Sequence, residues 1–392
     1  MSKVRSRTGY AGIAVAVPVT VPYVRYSTHG AHYFIGRALQ GLLKASRLRK
    51  DEIDGLTISS FSLAPDTAVG VTQHMGLSPR WLDHVPTGGA SGVMALRRAA
   101  RAVQSGDASI VACIAADTNH VDSFRLMLGG FSSFARDATY PYGSGGPNAL
   151  FAFITSHYMQ RNGACREDFG RICVDQRTNA LAYGSRVFRK PLSLDEYMAA
   201  RPIAEPLHLF DCVMPCAGAE AFLVMEQSRA HDLGLAHAVI RGTIERHNAF
   251  SEDPIMERGG WLVDQQDLYA MADCRPKDIG FVQTYDDYPV IVLMQLEGLG
   301  FCAPGEGAEF VRQHSTCWDG EFPHNTSGGQ LSCGQAGAAG GFLGMNEAIR
   351  QVTGQAAQRG VARPGLGLVS GYGMVTYDRC LCTGAVILGA GQ

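Results

Sequence analysis

Charge of either sign is scarce in this 392-residue chain. Lys and Arg number 34 against 36 Asp and Glu, only 18% of all residues, and the net charge is −2. Without a basic excess the chain lacks the footprint of a nucleic-acid binder or of a protein held on an anionic membrane. Globular domains usually carry about 25% charged residues, so part of the surface is expected to be covered by a partner subunit. No apolar run approaches the roughly 18 residues that a membrane span requires. Cys-x-x-Cys pairs are missing too, so no metal site is expected, although the chain holds 11 cysteines. Their odd number and wide scatter, including Cys212 with Cys216 and Cys380 with Cys382, read as unpaired buried thiols in a reducing cytoplasm. Met1-Ser2-Lys3-Val4-Arg5 has the charge of a signal n-region. The stretch behind it, Tyr10 to Val24, carries Pro18, Pro22 and β-branched alternation, which is strand chemistry. A soluble, cytoplasmic protein is the expectation.

Apolar residues make up 46% of the chain, enough for a large core, and 47 glycines cluster in non-periodic loops. Strand and helix patterns alternate. Ile13–Val17, Gly55–Ile58 and Ala108–Ala116 read as strands; Tyr33–Arg47 and the small-residue stretch Ser91–Gln104 read as helices. From about Thr118 to Pro206 aromatics, Gly and Pro interrupt the pattern around the helices Ala149–Arg161 and Arg166–Tyr183, as an excursion from the core would. Ala219–Met225 resumes the strands. A second cycle comes next: strands at Ala238–Ile240, Asp278–Gln283, Gly367–Ser370 and Ala385–Leu388, helices at Val290–Leu299 and Gly337–Thr353. This is an α/β chain of two related halves, 1–235 with an inserted region at about 118–206, and 236–392. Gly143-Ser144-Gly145-Gly146 lacks the Lys-Ser/Thr ending of a phosphate loop and reads as a loop near a substrate tunnel or a dimer face.

Several motifs carry a resemblance over nearly the whole chain, in order. Tyr285-Asp286-Asp287-Tyr288, followed by Leu296-Glu297-Gly298-Leu299-Gly300-Phe301, resembles the His-Asp-x-Phe motif and glycine-ended helix of thiolases of the sterol-carrier-protein type. Asn325-Thr326-Ser327-Gly328-Gly329, running to Cys333-Gly334-Gln335, is similar to that family's Asn-x-x-Gly-Gly…Gly-His-Pro segment. Thr87-Gly88-Gly89-Ala90-Ser91-Gly92 resembles the nucleophile loop, and Phe210–Ala219 the entry to the next core strand. The resemblance implies a five-layer αβαβα fold with the two small-residue helices in the central layer. It also implies a homodimer that pairs through an N-half strand, for which Ala108–Ala116 is apolar enough.

The departures point to changed chemistry. The acyl-accepting Cys of the family falls on Gly89, the Gly-His-Pro histidine on Gln335, the first motif's histidine on Tyr285 and a cysteine acid/base on Asp287. A thiolase needs a nucleophile, and Gly89 has none. A retro-aldol cleavage needs only a base for a β-hydroxyl and a pocket that stabilises an acyl-CoA enolate. The chain is similar in this respect to the thiolase-fold aldolases that shorten steroid side chains, which lack the Cys and use tyrosines where thiolases have histidines. The leading reading is a carbon–carbon lyase acting on a β-hydroxyacyl-CoA, with the coenzyme A thioester as substrate and no cofactor. An acyltransferase with a displaced nucleophile such as Cys333, and a non-catalytic acyl-CoA-binding subunit, stand beside it. Tyr285, Asp287 and Gln335 are the expected catalytic groups, with Tyr285 and Asp287 alternatives for the base. Gly89, Ala90, Ser91, Tyr288, His324, Asn325, Gly334, Tyr372 and Gly373 are the expected substrate contacts. Gly89 is expected to leave empty space for a branched or ring-bearing β-carbon, and its backbone and that of Gly373 to turn N–H groups toward the thioester oxygen. The resemblance also implies a small OB-fold partner that contacts the acyl-CoA.

Overall fold

The computed structural model describes residues 9–119, 136–143, 146–376 and 378–391. The first half runs β1 (Ile13–Val24), α1 (Ala31–Ser46), β2 (Gly55–Ser59), α2 (Ala68–Met75), β3 (Trp81–His84), α3 (Ser91–Ser105) and β4 (Ile110–Asp117). Two helices, α4 (Gly146–Asn162) and α5 (Arg166–Ala182), stand before β5 (Ala217–Glu226). The second half runs β6 (His237–His247), α6 (Trp261–Ala272), β7 (Phe281–Gln283), α7 (Pro289–Gly298), α8 (Gly329–Cys333), α9 (Gly340–Val352), β8 (Leu366–Val375) and β9 (Cys380–Ala390).

The strands lie in the order β3-β2-β4-β5-β1-β6-β9-β8-β7. β2 is parallel to β3 and β4, and β5 is antiparallel to β4 and β1. β8 is parallel to β7 and antiparallel to β9, which is antiparallel to β6. The order β2-β4-β5-β1 thus recurs as β7-β8-β9-β6, with α3 leading into β4 and α9 into β8. The half-sheets join where Ala14, Val15 and Ala16 pair with Val239, Ala238 and His237.

Side-chain alternation sorts the strands into layers. Ile110, Ala112, Ile114 and Ala116 of β4 pack outward on Phe34, Ile35 and Leu39 of α1. Val111, Cys113 and Ala115 pack inward on a core shared with α3, α9 and, from the other half-sheet, Phe281, Val369 and Val386. Val282, Leu368 and Ile387 face the opposite way, onto α6 and α7. The result is the five-layer thiolase-like arrangement, with α3 and α9 at its centre. Their small residues have a direct steric role: a Cβ built at Gly92 of α3 would fall on the carbonyl oxygen of Gly341 in α9. A buried polar cluster crosses the same layer. Glu220 accepts hydrogen bonds from Thr20 Oγ1 (2.7 Å) and Asn346 Nδ2 (2.6 Å), and burial pushes its carboxyl up to about 7.

One expectation needs correction. The apolar strand read at Ala108–Ala116 is β4, which lies between β2 and β5 rather than at an edge. Its apolar character serves two packed faces. The free edge of the N-half is β3, where every residue is half-buried. Among the described residues no helix is long and apolar enough to cross a membrane. The loop read at Gly143-Ser144-Gly145-Gly146 lies partly outside the described residues; its last glycine opens α4.

Candidate active site

A cavity of about 530 Å³ forms where the Gly88–Gly89 turn, the end of β8, the segment after β7, the start of α4 and the loops around Cys212–Cys216 and Gln335–Gly337 meet. Its volume is that of an ordinary small-molecule site. Among the described residues that line it, none is Lys or Arg.

Tyr285, Asp286, Asp287 and Tyr288 connect β7 to α7. Pro289 opens α7 and holds Tyr288 in an extended conformation, so the segment stays strand-like until the helix begins. The Tyr285 N–H donates to the Ser370 carbonyl (3.1 Å), and Gln295 Nε2 donates to the Tyr285 carbonyl (2.7 Å). This ties the segment to both β8 and α7. Successive side chains then alternate: Tyr285 and Asp287 line the cavity, while Asp286 turns away. The Asp286 carboxylate accepts the N–H groups of Gln330 (2.9 Å) and Leu331 (3.2 Å), and burial pushes its carboxyl up to about 7.

The Tyr285 hydroxyl accepts a hydrogen bond from Gln335 Nε2 (2.9 Å), which leaves its O–H free to donate elsewhere. Burial, and then the neighbouring Asp287, push this phenol well above its ordinary range, so it stays protonated at neutral pH. Asp287 is pushed well up as well, first by burial and then by Asp286. Its Oδ1 is buried. Such a carboxylate is a stronger base than an exposed one, and the fold leaves its Oδ1 without a hydrogen-bond partner among the described residues.

Position 89 differs from expectation. A Cβ built on Gly89 would fall on the Tyr285 ring and on the Tyr372 carbonyl oxygen. The place of a nucleophilic side chain is therefore filled by the tyrosine, and is not open to substrate. Gln335 commits one of its two amide N–H groups to Tyr285.

Against known proteins, residues 242–386 match the family described as thiolase C-terminal domain-like. The chain is 34% identical over 327 residues to a steroid side-chain-cleaving aldolase of Thermomonospora curvata, covering 78% of this chain and 81% of that one. It is 31% identical to the 17-hydroxy-3-oxo-4-pregnene-20-carboxyl-CoA lyase of Mycobacterium tuberculosis, covering 81% and 85%. The chain belongs to the thiolase-fold aldolases. The solved structure of an Ltp2-ChsH2(DUF35) aldolase superposes with a TM-score of 0.81 at 28% identity, covering 97% of this chain and 98% of that one.

In this aldolase-family chain the cavity gathers Gly89, Tyr285, Asp287, Tyr288, Gln335, Tyr372 and Gly373 from the expected set. Five others do not line it. Ala90 is buried behind the turn, and Ser91 spends its hydroxyl on the Val85 carbonyl (3.1 Å). His324 is buried against Thr284 Oγ1 (2.8 Å), and burial lowers its imidazole to about 3, which removes it as a proton carrier. Asn325 accepts the Thr284 N–H (2.8 Å), and Gly334 forms a left-handed turn packed on Val187 and Cys216. Cys333 is fully buried, donates to the Ser327 carbonyl (3.0 Å) and is pushed well above the ordinary thiol range. It cannot serve as a displaced nucleophile. Cys212, which does line the cavity, is pushed up to about 12 by burial.

Three lining residues were not singled out in the sequence. Asn148 accepts the Tyr288 hydroxyl (2.6 Å), and Phe151 stacks on Tyr288 with ring centroids 4.1 Å apart; both come from α4, inside the region read as an excursion. Asp117 bridges the halves by accepting Ser60 Oγ (2.8 Å) and the Ala338 N–H (2.7 Å). A carboxylate ending an otherwise apolar strand is a signal that could have found it. Among the described residues no group of three His, Cys, Asp or Glu is placed to hold a metal ion.

Proposed function

We propose that the chain cleaves a β-hydroxyacyl-CoA by retro-aldol chemistry, giving an acyl-CoA and a ketone or aldehyde. The observation that carries this reading is the filled position at Gly89, where the Tyr285 ring replaces a nucleophile, beside the Asp287 carboxylate, whose Oδ1 has no hydrogen-bond partner among the described residues. Asp287 takes the proton of the β-hydroxyl, the new carbonyl forms, and the Cα–Cβ bonding pair moves into the thioester as an enolate. Tyr285, kept protonated by burial and oriented by Gln335, donates to the oxygen on which charge develops. Backbone N–H groups at Gly89 and Gly373 assist it. No covalent intermediate is needed, and the lack of an accessible activated thiol tells against acyl transfer.

The names of the two relatives support a steroid or comparably ring-bearing β-carbon, for which the 530 Å³ cavity has room. Coenzyme A enters as part of the substrate, and no separate cofactor is called for. The test is incubation with 17-hydroxy-3-oxo-4-pregnene-20-carboxyl-CoA, the molecule in the second relative's name. Cleavage beside the hydroxyl yields a 17-ketone and propionyl-CoA; unchanged substrate contradicts the proposal.

The same proposal includes assembly as a homodimer, with β3 as the edge available for pairing. It also includes a small acyl-CoA-binding partner, supported by the second protein, ChsH2(DUF35), named with Ltp2 in the superposed aldolase. The catalytic groups all belong to this chain, so the partner's role is delivery of the thioester. A cytoplasmic location is supported by the 11 cysteines, all unpaired.

A further inference from the structure

Tyr372 lies in β8 between Gly371 and Gly373. A Cβ at either glycine would fall on a carbonyl of the Thr87–Gly89 turn, so that face of the strand is closed against the turn. Alternation sends the Tyr372 side chain to the other face, where it lines the cavity. Its ring stands edge-on to Tyr285 at 5.0 Å between centroids, and lies 6.1 Å from Phe151. Only 1% of the residue is exposed, and its hydroxyl has no hydrogen-bond partner among the described residues. The two neighbouring phenols differ: Tyr285 is held by Gln335 and Tyr288 by Asn148. A buried O–H without a partner is unfavourable unless something else satisfies it, and the residue that carries this one lines the cavity.

We infer that Tyr372 is the acid that protonates the enolate α-carbon after the Cα–Cβ bond breaks, a step resting on the retro-aldol reading. The Tyr372 O–H bond breaks, a Cα–H bond forms with the enolate electron pair, and the thioester carbonyl is restored. The phenolate then regains a proton from water, while Asp287 releases to water the proton taken from the β-hydroxyl. Nothing is oxidised or reduced, and the proton count closes. Three groups then divide the work: Asp287 on the β-hydroxyl, Tyr285 on the thioester oxygen and Tyr372 on the α-carbon.

By microscopic reversibility the same group exchanges the α-protons of the product. The experiment follows deuterium entry from D₂O into propionyl-CoA by mass spectrometry, with the 17-ketone present. Cleavage of the relative's substrate is measured in parallel. Tyr372→Phe should slow both exchange and cleavage by about 10²–10⁴, with propionyl-CoA binding within about threefold and a melting temperature no lower than that of the wild type, since the lost oxygen has no hydrogen-bond partner among the described residues. Asp287→Asn should abolish cleavage yet retain exchange, which a purely structural disturbance would not do. A wild-type chain that cleaves, beside a Tyr372→Phe variant within about twofold in both assays, overturns the inference alone. A wild-type chain that does not cleave overturns the retro-aldol reading and the inference with it. Should Tyr372→Phe fail to fold, 3-fluorotyrosine at position 372 replaces it. A basic limb of exchange moved to lower pH is then expected, and an unmoved limb overturns the assignment.

Discussion

A single methyl group at position 89 probes the relation between the missing nucleophile and the tyrosine that fills its place. Gly89 does not occupy the left-handed region of backbone space, so alanine there meets no conformational penalty. On entropy alone Gly89→Ala would stabilise by about 0.4–1 kcal/mol. Sterics oppose this. The new Cβ falls on the Tyr285 ring and on the Tyr372 carbonyl, and the carbonyl belongs to a strand held by its pairing with β9 at that residue. Overpacking of this kind costs about 1–3 kcal/mol, leaving a net loss of up to about 2.6 kcal/mol, centred on about 1 kcal/mol. The ring is the part free to yield, and if it yields it breaks the Gln335–Tyr285 hydrogen bond, so turnover should fall at least tenfold. Urea denaturation gives the stability and product formation gives the rate. In a Tyr285→Ala background the methyl should cost about 1 kcal/mol less, because half of its clash is gone. Equal stability and equal turnover for Gly89→Ala, or an identical cost in both backgrounds, would disprove the steric coupling.

Asp287→Asn should lower turnover by about 10²–10⁴. Because the Asp287 carboxyl is raised, wild-type turnover should rise with pH through a pKa above the ordinary carboxylate value near ~4; a rate that stays flat down to that pH would count against Asp287 as base. Glu220 holds its proton to about pH 7 when folded, against 4.5 as its reference. The folded state therefore binds more protons between these values, and stability should fall as pH rises through that window. Glu220→Gln should flatten the slope, which melting temperatures across the window would show. Alkylation with iodoacetamide should leave turnover intact unless Cys212 at the cavity is bulky enough to obstruct substrate. Cys212→Ala should then be fully resistant, and loss of activity traced to Cys333 would contradict its buried placement.

Long periodic segments were legible in the sequence because two packed faces leave an unbroken apolar or small-residue run. β4, α3 and α9 are of this kind. α2 and β3 were not, because both are short and half-solvated, with little periodicity to read. The motif around Tyr285 brought the cavity's centre into view, since its spacing tracks the backbone between β7 and α7. Motif position could not tell which side chains face the cavity. His324 and Asn325 share the motif's loop yet point into the fold, where Thr284 holds both. Asn148 and Phe151 were invisible for the opposite reason: α4 meets the cavity only through long-range packing. The filling of the Gly89 space by Tyr285 could not be read either, because it depends on how closely two distant backbones approach.

Carbon–carbon cleavage without an acyl-enzyme is the step on which the mechanism stands. Its sharpest test is intact-protein mass spectrometry during steady-state turnover of 17-hydroxy-3-oxo-4-pregnene-20-carboxyl-CoA, with no free coenzyme A added. Continuous release of ketone and propionyl-CoA is expected, with the protein at its unmodified mass throughout. A covalent acyl adduct on the chain, or turnover that requires added coenzyme A, would contradict the mechanism.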